Sequence, residues 1–350
     1  MTLDAILEER LDLVADEYSK SALPWVVGYS GGKDSSLVVK LIFEALMRLR
    51  RRCAPLHVVY CDTGVEIPVV AAFVRKTLKG IQRQAGQFGI PLTCHLATPP
   101  LRDRFFVRLI GRGYPPPTNK FRWCTDKLRI QPIQRLMNNV AGDPNIVVLG
   151  VRHSESEERK RVLARNATSD RFYFQQSQSE SRRLFCPIVD FDASTVWEAL
   201  FTLQRPAAIN VHQLGFLYKQ ASGECPVIRE AKGSPCGQGR FGCWTCTVVR
   251  KDRAVQGLVH EGYANLRPLL EFRNWLMSIR DDTHYRCTLR RNGNHGPGPF
   301  RLEARKQILQ RLLAAERKSG LKLISVREIR RIRELWTEDT GSPRYVEDAV

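Results

Sequence analysis

Between an apolar segment, Pro24-Trp-Val-Val-Gly-Tyr-Ser30, and an amphipathic one running from about Ser35 to Arg50, the chain carries Ser30-Gly31-Gly32-Lys33-Asp34-Ser35-Ser36. The first segment reads as a buried strand and the second as a helix. Glycines at such a turn let the main chain come close to a bound group. The helix that follows offers unpaired N–H groups and the positive end of its dipole, so the junction is built for an anion. Lys33 adds a point charge, and the hydroxyls of Ser30, Ser35 and Ser36 can donate further hydrogen bonds. The turn is neither a G-x-x-x-x-G-K-[ST] loop nor a G-x-G-x-x-G fingerprint, which sets it apart from the two commonest phosphate-binding turns.

The rest of the first half repeats the alternation. Strands are expected at Leu56–Cys61, Leu92–Leu96, Ile146–Gly150 and Leu184–Val189, with a helix over roughly 66–86. Strands alternating with helices predict an α/β fold with a doubly wound, mostly parallel sheet. The arginine-rich stretch 154–183 reads as a mobile loop. A helix is expected after Asp192, capped by Ser194 or Thr195. A proline-rich loop at 113–119 leads to a basic segment whose aromatics, Tyr114, Phe121 and Trp123, can stack on an unpaired base. The last third reads as helices interrupted at Asn292–Pro299. These patterns divide the chain into a nucleotide domain over 1–205, a cysteine-rich region over 206–262 and a basic helical region over 263–350.

Four of the ten cysteines, Cys225, Cys236, Cys243 and Cys246, fall in a glycine-rich stretch too irregular to fold on apolar burial alone. Clustered thiols in a reducing compartment point to metal or redox chemistry rather than disulfides. Their spacing suits a four-cysteine iron–sulfur cluster or a structural zinc equally. A fifth, Cys124, stands between Arg122, Trp123 and Lys127, a basic setting expected to lower its pKa and make it nucleophilic. Asp34 and Asp62 are candidates for Mg²⁺ or ribose, or else helix caps. Arg152 is a candidate phosphate clamp. The net charge of +19 is concentrated in residues 101–190 and 251–350. It is either a solubilising surface or the electrostatic footprint of a nucleic-acid partner. The N-terminal twenty residues form an acidic amphipathic helix without the features of a signal peptide, and no apolar run is long enough for a membrane span, so a cytoplasmic protein with no membrane partner is expected.

The Ser30–Ser36 turn resembles the PP-loop of the ATP pyrophosphatases, enzymes with an adenine nucleotide alpha hydrolase-like fold. Tyr60-Cys-Asp-Thr-Gly64 with Glu66, Arg122-Trp-Cys-Thr125, and Gly150-Val-Arg-His-Ser-Glu-Ser-Glu157 with Arg159 resemble, in that order, segments of the phosphoadenylylsulfate reductase branch. The cysteine-rich second half is similar to that of the DNA phosphorothioation sulfurtransferases of the DndC and SspD type. That resemblance implies ATP and Mg²⁺ held by Ser30, Gly31, Gly32, Lys33, Asp34, Ser35, Ser36, Asp62, Gly150 and Arg152. Chemistry would fall to Lys33, Asp34, Cys124 and Arg152, and a [4Fe–4S] cluster to Cys225, Cys236, Cys243 and Cys246, with zinc the alternative. It further implies DNA as substrate, a cysteine desulfurase as sulfur source and other phosphorothioation proteins as partners. A tRNA thiolation enzyme, an adenylylsulfate-type reductase and an ATP-sensing DNA-binding regulator share enough of these features to stand as alternatives.

Overall fold

The computed structural model describes residues 2–52, 54–176, 179–222 and 241–341. In chain order its first elements are α1 (Leu3–Ser19), β1 (Trp25–Gly28), α2 (Lys33–Arg48), β2 (Leu56–Cys61), α3 (Pro68–Gln87) and β3 (Leu92–Ala97). A short helical turn, α4 (Trp123–Thr125), precedes α5 (Gln131–Val140), β4 (Asn145–Val148), α6 (Glu157–Arg165), β5 (Tyr173–Gln176) and β6 (Ser179–Phe185). Then come α7 (Ala193–Thr202), α8 (Val211–Ser222), α9 (Arg253–His260), α10 (Arg267–Ile279), α11 (Leu302–Ser319) and α12 (Val326–Thr340). Two compact units emerge, each drawn from separate stretches: residues 1–61, 69–97 and 133–240 in the first, and 62–68, 98–132 and 241–350 in the second.

The first unit is the α/β domain. Its six strands lie in the order β3-β2-β1-β4-β6-β5, parallel throughout except for the antiparallel edge pair β5–β6. The pairing is in register with Val26 of β1 between His57 of β2 and Val147 of β4. β1 reads Trp-Val-Val because a central parallel strand is covered on both faces. Val26, Val59, Ala97 and Val147 form a core with Met137 of α5. Trp25, fully buried, is packed edge-on by Tyr18 of α1 and Phe185 of β6. The strand order reverses at β1, with β2 on one side and β4 on the other. A crevice therefore opens outside the carboxyl ends of β1 and β4, where open α/β sheets take their ligands.

Two expectations change. The stretch 154–183 contains a helix, α6, and a strand, β5, rather than one loop. Phe172 and Phe174 are buried there, and Phe172 lies under the guanidinium of Arg10 from α1, a long-range partner that local polarity does not reveal. The cap of α7 is Asp192, whose Oδ1 accepts from the Thr195 amide at 2.7 Å, not Ser194 or Thr195.

In the second unit, α10 packs on α11, and α12 lies against the turn Val107–Gly111. Trp336 of α12 donates to the Ile110 carbonyl at 2.9 Å and Arg305 of α11 to that of Gly111 at 2.7 Å. A Cβ on Gly111 would sit 2.7 Å from Leu335 Cδ1, so a larger residue there would make the Leu335 side chain shift. Among the described residues no helix is long and apolar enough to cross a membrane.

Candidate active site

The turn after β1 is shaped as the sequence suggests. Gly31 has φ +77°, a conformation costly for any residue with a Cβ, and a Cβ there would also lie 2.2 Å from Val74 of α3. Gly32 is the N-cap of α2 and offers no side-chain cap to the helix, while its own amide donates to Ser30 Oγ at 3.3 Å. Ser35 folds back, its hydroxyl donating to the Gly32 carbonyl at 3.1 Å and accepting from the Ser30 amide at 3.1 Å.

β4 delivers the opposite wall. Gly150 lies so close to α2 that a Cβ would meet the Asp34 carbonyl carbon and oxygen at 2.8 Å. Two residues on, Arg152 is 1% exposed. Its Nε donates to Asp34 Oδ1 at 2.6 Å, and its Nη1 to Ser154 Oγ at 2.7 Å and to the Phe191 carbonyl at 3.3 Å. Its Nη2 is buried with no hydrogen-bond partner among the described residues. Lys33, 4% exposed, has its ammonium 3.9 Å from Asp34 Oδ2 and 5.0 Å from the centre of the Tyr218 ring on α8. The Tyr218 hydroxyl accepts the Lys33 amide at 3.2 Å. Ser30 to Ser36, Gly150 and Arg152 are thus brought together, and Tyr218 joins them unannounced by any local motif.

An anion fits this cradle. A guanidinium fixed on three sides keeps one nitrogen in reserve, the positive end of the α2 dipole lies at the same junction, and a buried ammonium shares the Asp34 carboxylate with it. Mg²⁺ would find the Asp34 carboxylate, whose two oxygens are engaged by Arg152 and Lys33.

The second unit assembles different residues. Asp62 accepts from the Gly64 amide at 3.0 Å in a tight turn, and Glu66 closes the same turn, accepting from the Thr63 amide and hydroxyl and the Gly64 amide. Burial holds the Glu66 carboxyl above its ordinary pKa, with Asp62 adding to the rise. Glu66 forms an isolated antiparallel bridge with Cys243, and the Trp244 amide donates to the Val65 carbonyl at 3.0 Å. Cys243 to Cys246 forms a turn closed by the Cys246 amide on the Cys243 carbonyl at 3.0 Å. Fully buried Arg273 fastens it by donating to the Cys246 carbonyl at 2.8 Å. The Cys243 thiol, pushed up to about 11 by burial, receives Arg129 Nη2 at 3.5 Å.

Cys124 lies near enough to Cys246 for a Cys246 thiolate to raise its pKa. Its pKa is raised, not lowered. Burial is the largest cause and outweighs the Thr125 hydrogen bonds and the Arg129 guanidinium, which favour the thiolate. The sequence shows the flanking charges but not the depth of the thiol. Trp123 is likewise core, stacked on Phe105 at 5.4 Å and donating to the Pro115 carbonyl, so it is not free to stack on a base. Cys225 and Cys236 lie outside the described residues. Among the described residues no three His, Cys, Asp or Glu side chains are placed to hold a metal. The two described cysteines of the expected set offer soft sulfur donors on a braced turn, as thiolate ligation requires.

A family model, the phosphoadenosine phosphosulfate reductase domain, matches residues 24–249, from β1 to beyond the Cys243–Cys246 turn. The chain belongs to that family. As a phosphoadenosine phosphosulfate reductase domain with a PP-loop, it is a member of an enzyme class. An uncharacterized protein of Methanocaldococcus jannaschii, MJ0066, is 24% identical over 215 residues, 61% of this chain and 38% of that protein. The chain thus spans well under half the length of that curated relative. Among solved structures, the phosphoadenylyl-sulfate reductase of Candida auris in a phosphate complex is similar at 12% identity and a TM-score of 0.35, over 57% of this chain and 84% of that one. The U34-tRNA thiolase NcsA of Methanococcus maripaludis, with its [4Fe-4S] cluster, reaches 12% identity and 0.38 over 62% and 74%. Scores this low say nothing about chemistry.

Proposed function

We propose that this domain binds ATP at the Ser30–Ser36 turn and uses it to adenylate a backbone phosphate of DNA, releasing pyrophosphate, before sulfur replaces a non-bridging oxygen. The observation that carries the ATP reading is the buried Nη2 of Arg152, without a hydrogen-bond partner among the described residues, on an arginine that shares the Asp34 carboxylate with Lys33 at the N-terminus of α2. The DNA reading rests on the net charge of +19 and on the resemblance of the cysteine-rich second half to that of the phosphorothioation sulfurtransferases.

In this reading the α2 amides, Lys33 and Arg152 hold the β and γ phosphates. A non-bridging oxygen of the DNA phosphate attacks the α-phosphorus, the bond to the bridging oxygen breaks, and pyrophosphate leaves with the negative charge. Two anions must approach one another, so the lysine and arginine field offsets their repulsion, and Mg²⁺ held by Asp34 would add to it. A cysteine desulfurase supplies sulfur as a persulfide, from which a thiol reductant giving two electrons releases hydrosulfide; the hydrosulfide then attacks the adenylated phosphorus, the bond to the AMP oxygen breaks, and AMP leaves. Cys124 and the Cys243–Cys246 turn are the residues of this chain for handling that sulfur. A [4Fe–4S] cluster on Cys225, Cys236, Cys243 and Cys246 would supply redox or sulfide chemistry there, and zinc only a strut. Other phosphorothioation proteins would act on the same DNA.

Pyrophosphate release, measured anaerobically with ATP, Mg²⁺ and single- or double-stranded DNA, tests the reading. Release should depend on DNA and vanish in Lys33→Ala with the fold intact. Cleavage to ADP, or none, would instead support an ATP-sensing regulator. Mass spectrometry of cellular nucleic acid separates the substrates, because thiolated tRNA bases in place of backbone sulfur would make this a tRNA enzyme. Reduction of adenylylsulfate would make it a reductase.

A further inference from the structure

The interruption at Asn292–Pro299 is a built object in the second unit. Residues 285–300 form a narrow ribbon whose legs are joined by antiparallel bridges at Arg286–Phe300 and Leu289–His295. The legs approach so closely that a Cβ on Gly298 would lie 1.8 Å from the Leu289 carbonyl oxygen. Arg286, 5% exposed, braces the base by donating to the carbonyls of Gly298, Arg280 and Pro297. The Phe300 amide donates to the Gly113 carbonyl at 2.7 Å, and Gly113 has φ +69°. Such bracing is more than a surface connection needs.

The tip is the opposite in character. Every residue from Thr288 to His295 is exposed, and the chain has no acidic residue between Asp282 and Glu303. Arg291 is held against the Tyr114 ring and the Arg112 carbonyl. Arg290 makes no ion pair among the described residues, and Leu289 is 48% exposed beside it. Asn292 and Asn294 add amide donors and acceptors. A rigid, acid-free two-legged ribbon with an arginine, amides and an exposed leucine at its end has the width and chemistry to enter a groove of duplex nucleic acid.

We infer that residues 285–300 are a nucleic-acid-binding arm whose tip, Arg290 to Asn294, seats in the groove of a DNA duplex. This rests on the nucleic-acid reading above and names the surface that reading lacks. An acidic protein would meet the same charge, but it gives the exposed amides and leucine no groove to fill.

Fluorescence anisotropy of the full chain with a short labelled DNA duplex, across a salt series, tests it. Arg290→Ala should weaken binding several-fold and lower the slope of log affinity against log salt by about one, the loss of one phosphate contact. Arg290→Ala with Asn294→Ala should weaken it further, while the unfolding midpoint stays that of the parent. An unchanged slope and affinity in both variants overturns the arm. So does a loss of binding to single strands or polyglutamate that leaves the duplex untouched. A parent protein that binds no nucleic acid overturns the DNA reading itself, which separates the two failures.

Discussion

Arg152 shows how much a single side chain can carry. Its Nε and Nη1 are spent on Asp34, Ser154 and the Phe191 carbonyl, so the orientation of Nη2 is set before any ligand arrives. Arg152→Ala removes the partner of a carboxylate that is only 20% exposed, and losing one half of a buried pair costs about 3 kcal/mol. Urea melts should show that loss, and tight nucleotide binding should vanish with it. Arg152→Lys should recover part of the stability but not the binding, because an ammonium cannot hold Asp34 and offer a second fixed donor. Lys40 is a separate case. Its ammonium is buried on α2, donates to the Leu203 carbonyl at 2.7 Å, and has its pKa lowered by burial to about 8. Below pH 8 it is protonated in both folded and unfolded chains, and the burial penalty is fully present. Between pH 8 and the unfolded value of 10.5 the unfolded chain holds more protons, so this group makes stability rise with pH. Lys40→Met should therefore be the more stable protein at pH 7, by up to roughly 3 kcal/mol, with the gap narrowing by pH 9. Denaturant midpoints of the two proteins at both values check it.

At the scale of elements, the site is a junction: the carboxyl ends of β1 and β4 with the amino end of α2 between them. Its tightest point is Gly150 against the first turn of α2. Gly150→Ala should push the strand and helix apart, so ATP affinity should fall at least ten-fold while circular dichroism stays that of the parent. Isothermal titration with ATP and Mg²⁺ reads this, and unchanged affinity would show that the spacing is not what shapes the cradle. The strand–turn–helix core was legible because parallel strands buried on both faces write continuous apolar runs. The edge strand β5 was not, because it reads Tyr-Phe-Gln-Gln amid arginines and is tied to α1 by the Tyr173 hydroxyl, which donates to Glu17 at 2.7 Å. The helix N-caps also show the limit: Asp192, not the hydroxyls beyond it, faces the open amide.

For the whole molecule, charge and metal content are the quantities that decide the proposed function. A chain of net charge +19 that neutralises backbone phosphates should lose affinity for DNA steeply as salt rises, with a slope of about −0.9 for each contact on a duplex. Protein purified without oxygen should be brown and carry about four iron per chain. Stoichiometric zinc without colour would assign the four cysteines a purely structural role. Cys124 belongs to this scale as well, since its neighbour Cys246 is distant in sequence and no periodicity pairs them.

What the order of residues determined by itself was local: the glycine turn, the strands feeding it, the cysteine spacing and the sign of the charge. Short-range sterics and hydrophobic period set such features, and both are written within a few residues of where they act. Tertiary structure alone decided that Arg152 would be locked with one nitrogen spare, that Tyr218 would accept from the Lys33 amide, and that burial would push the Cys124 thiol's pKa up rather than down. Each depends on what lies across a packed interior, where desolvation and contact are set by segments far away along the chain.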